Sequence, residues 1–204
     1  MTIILHQGDL PGDIAFGTSV AIDTETMGLK AHRDRLCLVQ LSAGDGNSHL
    51  VRIPVGGADA PNLVRLLRDE SVLKLFHFAR FDVAVLRHAL GVQCAPIYCT
   101  KIASKLARTY TDRHGLKDLC RELLGVELSK QQQSSDWGTA TLSDAQKTYA
   151  ASDVLHLHAL REKLDAMLAR EGRAHLAEAA FGFLPARAEL DLAGWEDVDI
   201  FSHV

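Results

Sequence analysis

No run of apolar residues in this chain approaches the roughly 18 needed to cross a bilayer, so a membrane-spanning helix is not expected. The first nine residues, Met-Thr-Ile-Ile-Leu-His-Gln-Gly-Asp, lack the basic start and long apolar stretch of a secretory leader, and a cytoplasmic location without membrane contact is the expectation. Cys-x-x-Cys pairs are also missing. Cys37, Cys94, Cys99 and Cys120 lie singly in apolar or amphipathic stretches, as reduced, buried thiols do. The ten histidines contain no His-Glu-x-x-His pattern. His156 and His158 stand two apart on an expected helix and point in different directions, which removes them as a zinc pair. Internal repeats and low-complexity linkers are absent. Positive charge is scarce too: the net charge is −4, which argues against a protein that grips long nucleic acid through many phosphates.

The remaining composition is that of an ordinary globular protein, with 47% hydrophobic and 24% charged residues in 204. That length is expected to make a single domain, residues 1–204, with a motif-bearing core over 20–165 and a C-terminal helix plus acidic tail over 174–204. Charge is unevenly placed. Lys101 to Lys130 holds seven basic and four acidic residues, whereas from Ala186 onward one arginine meets five acids. A small basic patch on an acidic body suits a short polyanion better than a long one.

Val20 to Asp23, Leu36 to Leu41 and His49 to Ile53 alternate or run apolar over strand lengths, separated by turns such as Ala43-Gly-Asp-Gly-Asn47. They predict a three-stranded antiparallel meander. Helical spacing follows Pro61, a fourth strand covers Val72 to Phe78, and a helix through Phe81, Val85 and Leu90 stops at Gly91. A short strand at Ala95 to Cys99 leads to a helix over Lys101 to Arg108, another over Leu116 to Leu124 stopped by Gly125, and a polar turn over Lys130 to Ser135. One long helix is predicted from Ser143, its N-cap, to about Arg170, and a last one over Ala174 to Phe183, followed by a tail after Leu192 that is loose or contacts a partner. Interleaved strands and helices make an α/β domain with a mixed sheet.

Four carboxylates and a tyrosine punctuate these elements: Asp23 and Glu25 in Ala-Ile-Asp-Thr-Glu-Thr, Asp82 in His-Phe-Ala-Arg-Phe-Asp, and Tyr149 and Asp153 in Tyr-Ala-Ala-Ser-Asp. Each sits in or beside apolar sequence, where a carboxylate is costly unless something positive neutralises it. Residues two apart on a strand face one way, so Asp23 and Glu25 can point at one cation. Residues four apart on a helix share a face, which puts the Tyr149 phenol beside Asp153. Asp82 falls near a helix start, where the dipole favours an anion. Singly, each has a plain alternative as a strand-end acid, a helix-start acid or a packing tyrosine. Together they read as an oxygen cage for hard divalent cations.

Asp-Thr-Glu, His-Phe-Ala-Arg-Phe-Asp and Tyr-Ala-Ala-Ser-Asp-Val resemble the three motifs of the DEDDy 3′→5′ exonucleases, the ribonuclease D clan, over about Ala21 to Leu164. His32-Arg-Asp-Arg-Leu-Cys37, Cys99-Thr-Lys-Ile-Ala-Ser-Lys105, Thr109-Tyr-Thr-Asp-Arg-His-Gly-Leu116 and Ser129-Lys-Gln-Gln-Gln-Ser-Ser-Asp-Trp137 further resemble the nanoRNase C group of alphaproteobacteria. The resemblance implies a ribonuclease H-like fold of the DnaQ exonuclease type, a mixed sheet flanked by helices. It also implies two divalent cations, Mg²⁺ or Mn²⁺, held by Asp23, Glu25, Asp82 and Asp153, with Tyr149 orienting the attacking water. The implied substrates are very short single-stranded RNAs, dinucleotides above all, cut to 5′-mononucleotides, and the implied assembly is a homo-octamer. The wider clan often carries Asn where Phe78 stands. The helical domains that follow the catalytic domain in ribonuclease D are not seen, which makes transfer RNA trimming unexpected.

For substrate contacts, Leu29 is expected to wedge between two bases, with a buried core leucine as its alternative. Lys101, Arg108, Arg113, His114 and Lys117 are expected around the far phosphate. Thr24, His77 and Phe78 flank the motifs, and Trp137 offers a stacking face, although burial is the plainer role for His77 and Trp137. The competing readings are a broader 3′→5′ exonuclease for DNA or longer RNA, and a silent nucleic-acid-binding domain that would have no use for a costly carboxylate cluster.

Overall fold

The computed structural model describes residues 2–129 and 131–203, so Lys130, counted above with the basic segment and the polar turn, lies outside the described residues. Three strands, β2 (Ser19–Thr26), β3 (Leu36–Ser42) and β4 (Asn47–Arg52), pair antiparallel in sequence order. That is the predicted meander. β5 (Leu73–Phe76) lies parallel to β2, and β6 (Ile97–Cys99) parallel to β5. The sheet gains a strand that periodicity did not single out: β1 (Thr2–Gln7) pairs parallel with β4 at the opposite edge. The resulting order is β1-β4-β3-β2-β5-β6, a mixed, ribonuclease H-like sheet. Periodicity does not single out Thr2–Gln7 because this edge strand has no buried residue, so no alternation is imposed on it.

β3 is buried throughout, as expected of a strand covered on both faces. From Leu38 onward the side chains of β3 and β4 divide by parity: Leu38 and Leu50 join Trp137, Leu142 and Ala150 in a small cluster, while Val39, Leu41 and Val51 join the main one. The helix packed across β2, β3 and β4 is α5 (Asp144–Leu155). Its start is chemically specified. Ser143 Oγ accepts from Gln146 N at 3.2 Å and Gln146 Oε1 accepts from Ser143 N at 2.9 Å, a reciprocal capping box.

The long helix expected from Ser143 to Arg170 is in fact two. It breaks at His156 (φ −105, ψ −4), and α6 (Leu157–Arg170) sets off afresh. Apolar spacing runs through the break, so sequence alone reads it as continuous. The remaining helices are α1 (Pro61–Arg68), α2 (Ala79–Leu90, ended by Gly91), α3 (Thr100–Ala107) and α4 (Leu116–Leu119), the last running into a π-helical turn over Cys120–Leu124 rather than staying regular. α7 (Ala174–Leu190) is longer than predicted and carries Pro185 in its interior before a second π-helical turn, Asp191–Trp195.

The acidic tail is not loose over its first part. Asp191 takes two hydrogen bonds from Arg80, and Glu196 pairs with Lys30. All four cysteines are free and buried. Among the described residues no helix is long and apolar enough to cross a membrane.

Candidate active site

β2 is an interior strand, and its C-terminal half delivers Asp23 and Glu25 opposite Gln40 and Leu38 of β3. The ladder slips between Glu25 and Thr26, a bulge at the strand's exit of the kind that re-aims side chains beside a site. α5 supplies Tyr149 and Asp153 from one helical face. One oxygen each of Asp23, Glu25 and Asp153 lie within 4.8 Å of one another. Asp82 stands apart from this trio. It is buried in the first turn of α2 and accepts a hydrogen bond from Thr24 Oγ1 at 2.7 Å, so Thr24 serves the carboxylate rather than an open contact.

Burial and mutual repulsion dominate the electrostatics. Burial pushes the Asp23 carboxyl up to about 7. Burial, then the Asp23 charge, takes Asp153 to about 8. Glu25, desolvated in its half-buried position and pressed by Asp23, Asp153 and Asp82, is pushed up to about 10. Burial and Asp23 likewise hold Asp82 well above the carboxylate range. Tyr149 is raised by burial and then by Asp153, Glu25 and Asp23, so its phenol stays protonated at neutral pH.

Among the described residues no lysine or arginine pairs with any of these acids. The nearest polar help is Gln40, a fully buried side chain whose Nε2 lies 3.4 Å from Asp23 Oδ2 and whose Oε1 has no partner among the described residues. Half-buried carboxylates converging without a counter-charge fit divalent cations bound through oxygen. Gln40 was not among the sequence candidates. Its signal was a lone amide in the otherwise apolar Leu36 to Leu41.

The cluster lines a cleft of about 660 Å³. Leu29 stands on the rim, 85% exposed, which overturns the core alternative for it. Phe78, 47% exposed, holds φ 67 at the N-cap of α2. That left-handed conformation is costly for a bulky residue and natural for the Asn common in the clan. The Lys101 ammonium lies 4.3 Å from the centre of its ring. Lys101 and Lys117 both line the cleft.

Three of the expected phosphate contacts do not reach it. Arg108 is fully buried, its guanidinium donating to Ser104 Oγ, the Arg113 carbonyl and Glu122, so it is committed to the interior. Arg113 is exposed away from the cleft lining, and His114 Nδ1 is engaged by Ser104 Oγ at 2.8 Å. His77 is pushed down to about 3 by burial and by Lys101, and its Nδ1 lies 2.9 Å from Thr100 Oγ1, so it is a neutral, hydrogen-bonded residue at the cleft floor. Trp137 is buried with its ring 6.1 Å from that of Tyr149.

The protein family described as 3′-5′ exonuclease matches residues 11–169. The chain belongs to that family. Ribonuclease D of Gluconacetobacter diazotrophicus is 38% identical over 154 residues, 76% of this chain and 39% of that protein. The chain therefore spans about two fifths of the length of the curated relative it matches. Over the full length of both chains it is similar to Brucella melitensis NrnC with bound Mg²⁺ (58% identity, TM-score 0.96) and to Brucella melitensis NrnC bound to pGG (59% identity, TM-score 0.97). Its family is that of the DEDDy exonucleases of ribonuclease D type, and within it the chain is similar to NrnC.

The raised carboxyls make stability depend on pH with a definite sign. A carboxyl whose folded value lies above its unfolded one, about 4, favours the fold below that value and loses the contribution as pH rises through the folded one. For Asp23 and Asp153 the loss runs through about 7 and 8. The metal-free exonuclease should therefore melt lower at pH 8.5 than at pH 6. Added divalent cation should raise the melting temperature more at pH 8.5, as scanning calorimetry with and without chelator would read. A cation-induced shift no larger at pH 8.5 than at pH 6 would contradict the charge-cage reading.

Proposed function

We propose that this exonuclease removes 5′-mononucleotides from the 3′ end of very short RNAs, diribonucleotides above all, with two divalent cations, Mg²⁺ or Mn²⁺, as cofactors. Asp23, Glu25 and Asp153 would hold them, with Asp82 contributing directly or through water. When bound, such ions neutralise the cluster and supply Lewis-acid assistance to water and phosphate. Thr24 fixes the Asp82 carboxylate, and Gln40 supports Asp23 across the strand pair. The protonated Tyr149 hydroxyl hydrogen-bonds and orients the attacking water beside Asp153, and Trp137 backs its ring.

The observation that carries the proposal is the convergence of Asp23, Glu25 and Asp153 without a counter-charge in a cleft whose rim presents an exposed leucine. Leu29 parts two neighbouring bases, the Phe78 ring offers a stacking face, and Lys101 and Lys117 receive phosphate. A cleft of about 660 Å³ falls within the usual range for small-ligand sites, about 300–1,000 Å³. The pGG named with the Brucella NrnC structure is a ligand of that small class.

Turnover of RNAs from two residues upward, with Mn²⁺ or Mg²⁺ and with Asp153→Ala as the blank, tests this directly. Activity that is equal in the blank, or that rises with chain length instead of peaking at two residues, would defeat it. Burying a leucine side chain against apolar surface is worth about 1.5–3 kcal/mol, so Leu29→Ala should lower kcat/KM for two-residue RNA roughly tenfold or more. The melting temperature should not change, because the side chain is exposed. An unchanged kcat/KM removes the wedge.

A further inference from the structure

The loop that carries Leu29 is braced internally. Met27 N donates to Arg35 O at 3.0 Å across its base, Lys30 N donates to Asp34 Oδ2 at 2.9 Å, and Asp34 N donates to Lys30 O at 2.7 Å. To the rest of the molecule, residues 28–34 have two side-chain ties among the described hydrogen bonds and ion pairs: Thr26 Oγ1 donates to the Gly28 carbonyl at the loop's base, and Lys30 Nζ reaches the distant Glu196, while Ala31 packs against the main core. An exposed leucine gains by folding back onto apolar surface, so a loop that presents one outward needs something to hold it.

Glu196 is itself anchored. Its carbonyl oxygen accepts from Arg80 Nη2, and Arg80 also binds Asp191 through Nε at 2.6 Å and Nη2 at 2.8 Å. Arg187 Nε adds a contact to Asp191 at 2.9 Å, and its Nη2 donates to the Trp195 carbonyl. The forked Arg80–Asp191 pair is the strong kind, being bidentate and partly buried. Arg80 belongs to the first turn of α2, between Phe78 and Asp82. The segment Asp191 to Glu196 therefore runs as a strap that joins the first turn of α2, beside Phe78, to the loop that carries Leu29.

We infer that this strap is a positioning element for substrate: through the Lys30–Glu196 pair it holds Leu29 at the spacing that admits the second base, and so sets the preference for dinucleotides. The inference rests on the wedge role proposed above for Leu29. It also gives a role to two of the five acidic C-terminal residues, Asp191 and Glu196, which two arginines and one lysine take up.

The test is charge reversal and its repair, Lys30→Glu, Glu196→Lys and the double variant. Each is assayed on two-residue RNA and on thymidine 5′-p-nitrophenyl phosphate, an ester with no second base. Reversal replaces the attraction between these two side chains by repulsion, so each single variant should raise KM for the RNA roughly fivefold. Its kcat and the hydrolysis of the ester should hold. The double variant should recover the native KM. Hydrogen exchange at amides 28–34 should quicken in the single variants and return in the double. Unchanged RNA KM, equal losses on both substrates, or a double variant no better than the singles would overturn the strap. If the native protein cleaves neither substrate, the exonuclease proposal falls instead, and exchange alone decides whether the tie holds the loop.

Discussion

Asp23→Asn should lower turnover by orders of magnitude and, at the same time, make the metal-free protein more stable. The two effects have one cause. Asp23 adds to the repulsion that raises Glu25, Asp82 and Asp153. It is therefore the carboxylate whose charge the whole cluster feels, and the one whose loss most weakens a cation's hold. Charge stabilisation of a transition state by metal ions is worth several kcal/mol, and each 1.36 kcal/mol is tenfold in rate. The expected fall in kcat is about 10³-fold or more.

In a chelator, the neutral amide relieves like-charge burial and can still accept from Gln40. A gain of about 1 kcal/mol would raise the melting temperature by about 2–4 °C for a chain of this size. Calorimetry at pH 8.5 with chelator reads the second effect, and single-turnover kinetics on two-residue RNA reads the first. A variant that keeps its activity, or that melts lower than the native protein without metal, would show that these carboxylates do not form a repulsive cage.

The second large effect is expected from Tyr149→Phe. Burial and three neighbouring carboxylates raise the phenol well beyond its ordinary value, so it acts as a hydrogen-bond donor rather than a base. Positioned proton donors and acceptors typically contribute about 10²–10⁴-fold. Deleting the hydroxyl should cost kcat about 10²-fold with little change in KM. The ring stays, and with it the packing against Trp137 and the small cluster of Cys37, Leu38 and Leu50. The cation-induced rise in melting temperature should therefore survive, because Tyr149 is not one of the converging carboxylates. If kcat stays near native, the tyrosine is a packing residue only. If the cation-induced shift is also lost, the substitution has disturbed the cage itself.

Much of this architecture is legible in local chemistry. The meander follows from alternation and Gly-rich turns, α2 from its apolar stripe and terminal glycine, and the start of α5 from Ser143 as its N-cap. Asp23 with Glu25, and Tyr149 with Asp153, share faces because strand and helix periods are geometric constants. The failures share a cause. Arg108 reads as a surface cation, yet it is interior because Ser104, Glu122 and the Arg113 carbonyl meet around it. Gln40 looks like a polar interruption until the pairing of β2 with β3 sets it opposite Asp23.

Residue order and period were thus enough to settle the α/β class, the strand and helix faces, and the pairs of acids that could act together. Folding alone decided that Leu29 faces solvent, that Asp82 answers to Thr24 rather than joining the trio, that the helix after Ser143 breaks at His156, and that the acidic tail returns to Arg80 and Lys30. Period and turn chemistry act within a few residues of chain. A buried charge or an exposed leucine depends on partners many residues away, and only the packed molecule brings those into contact.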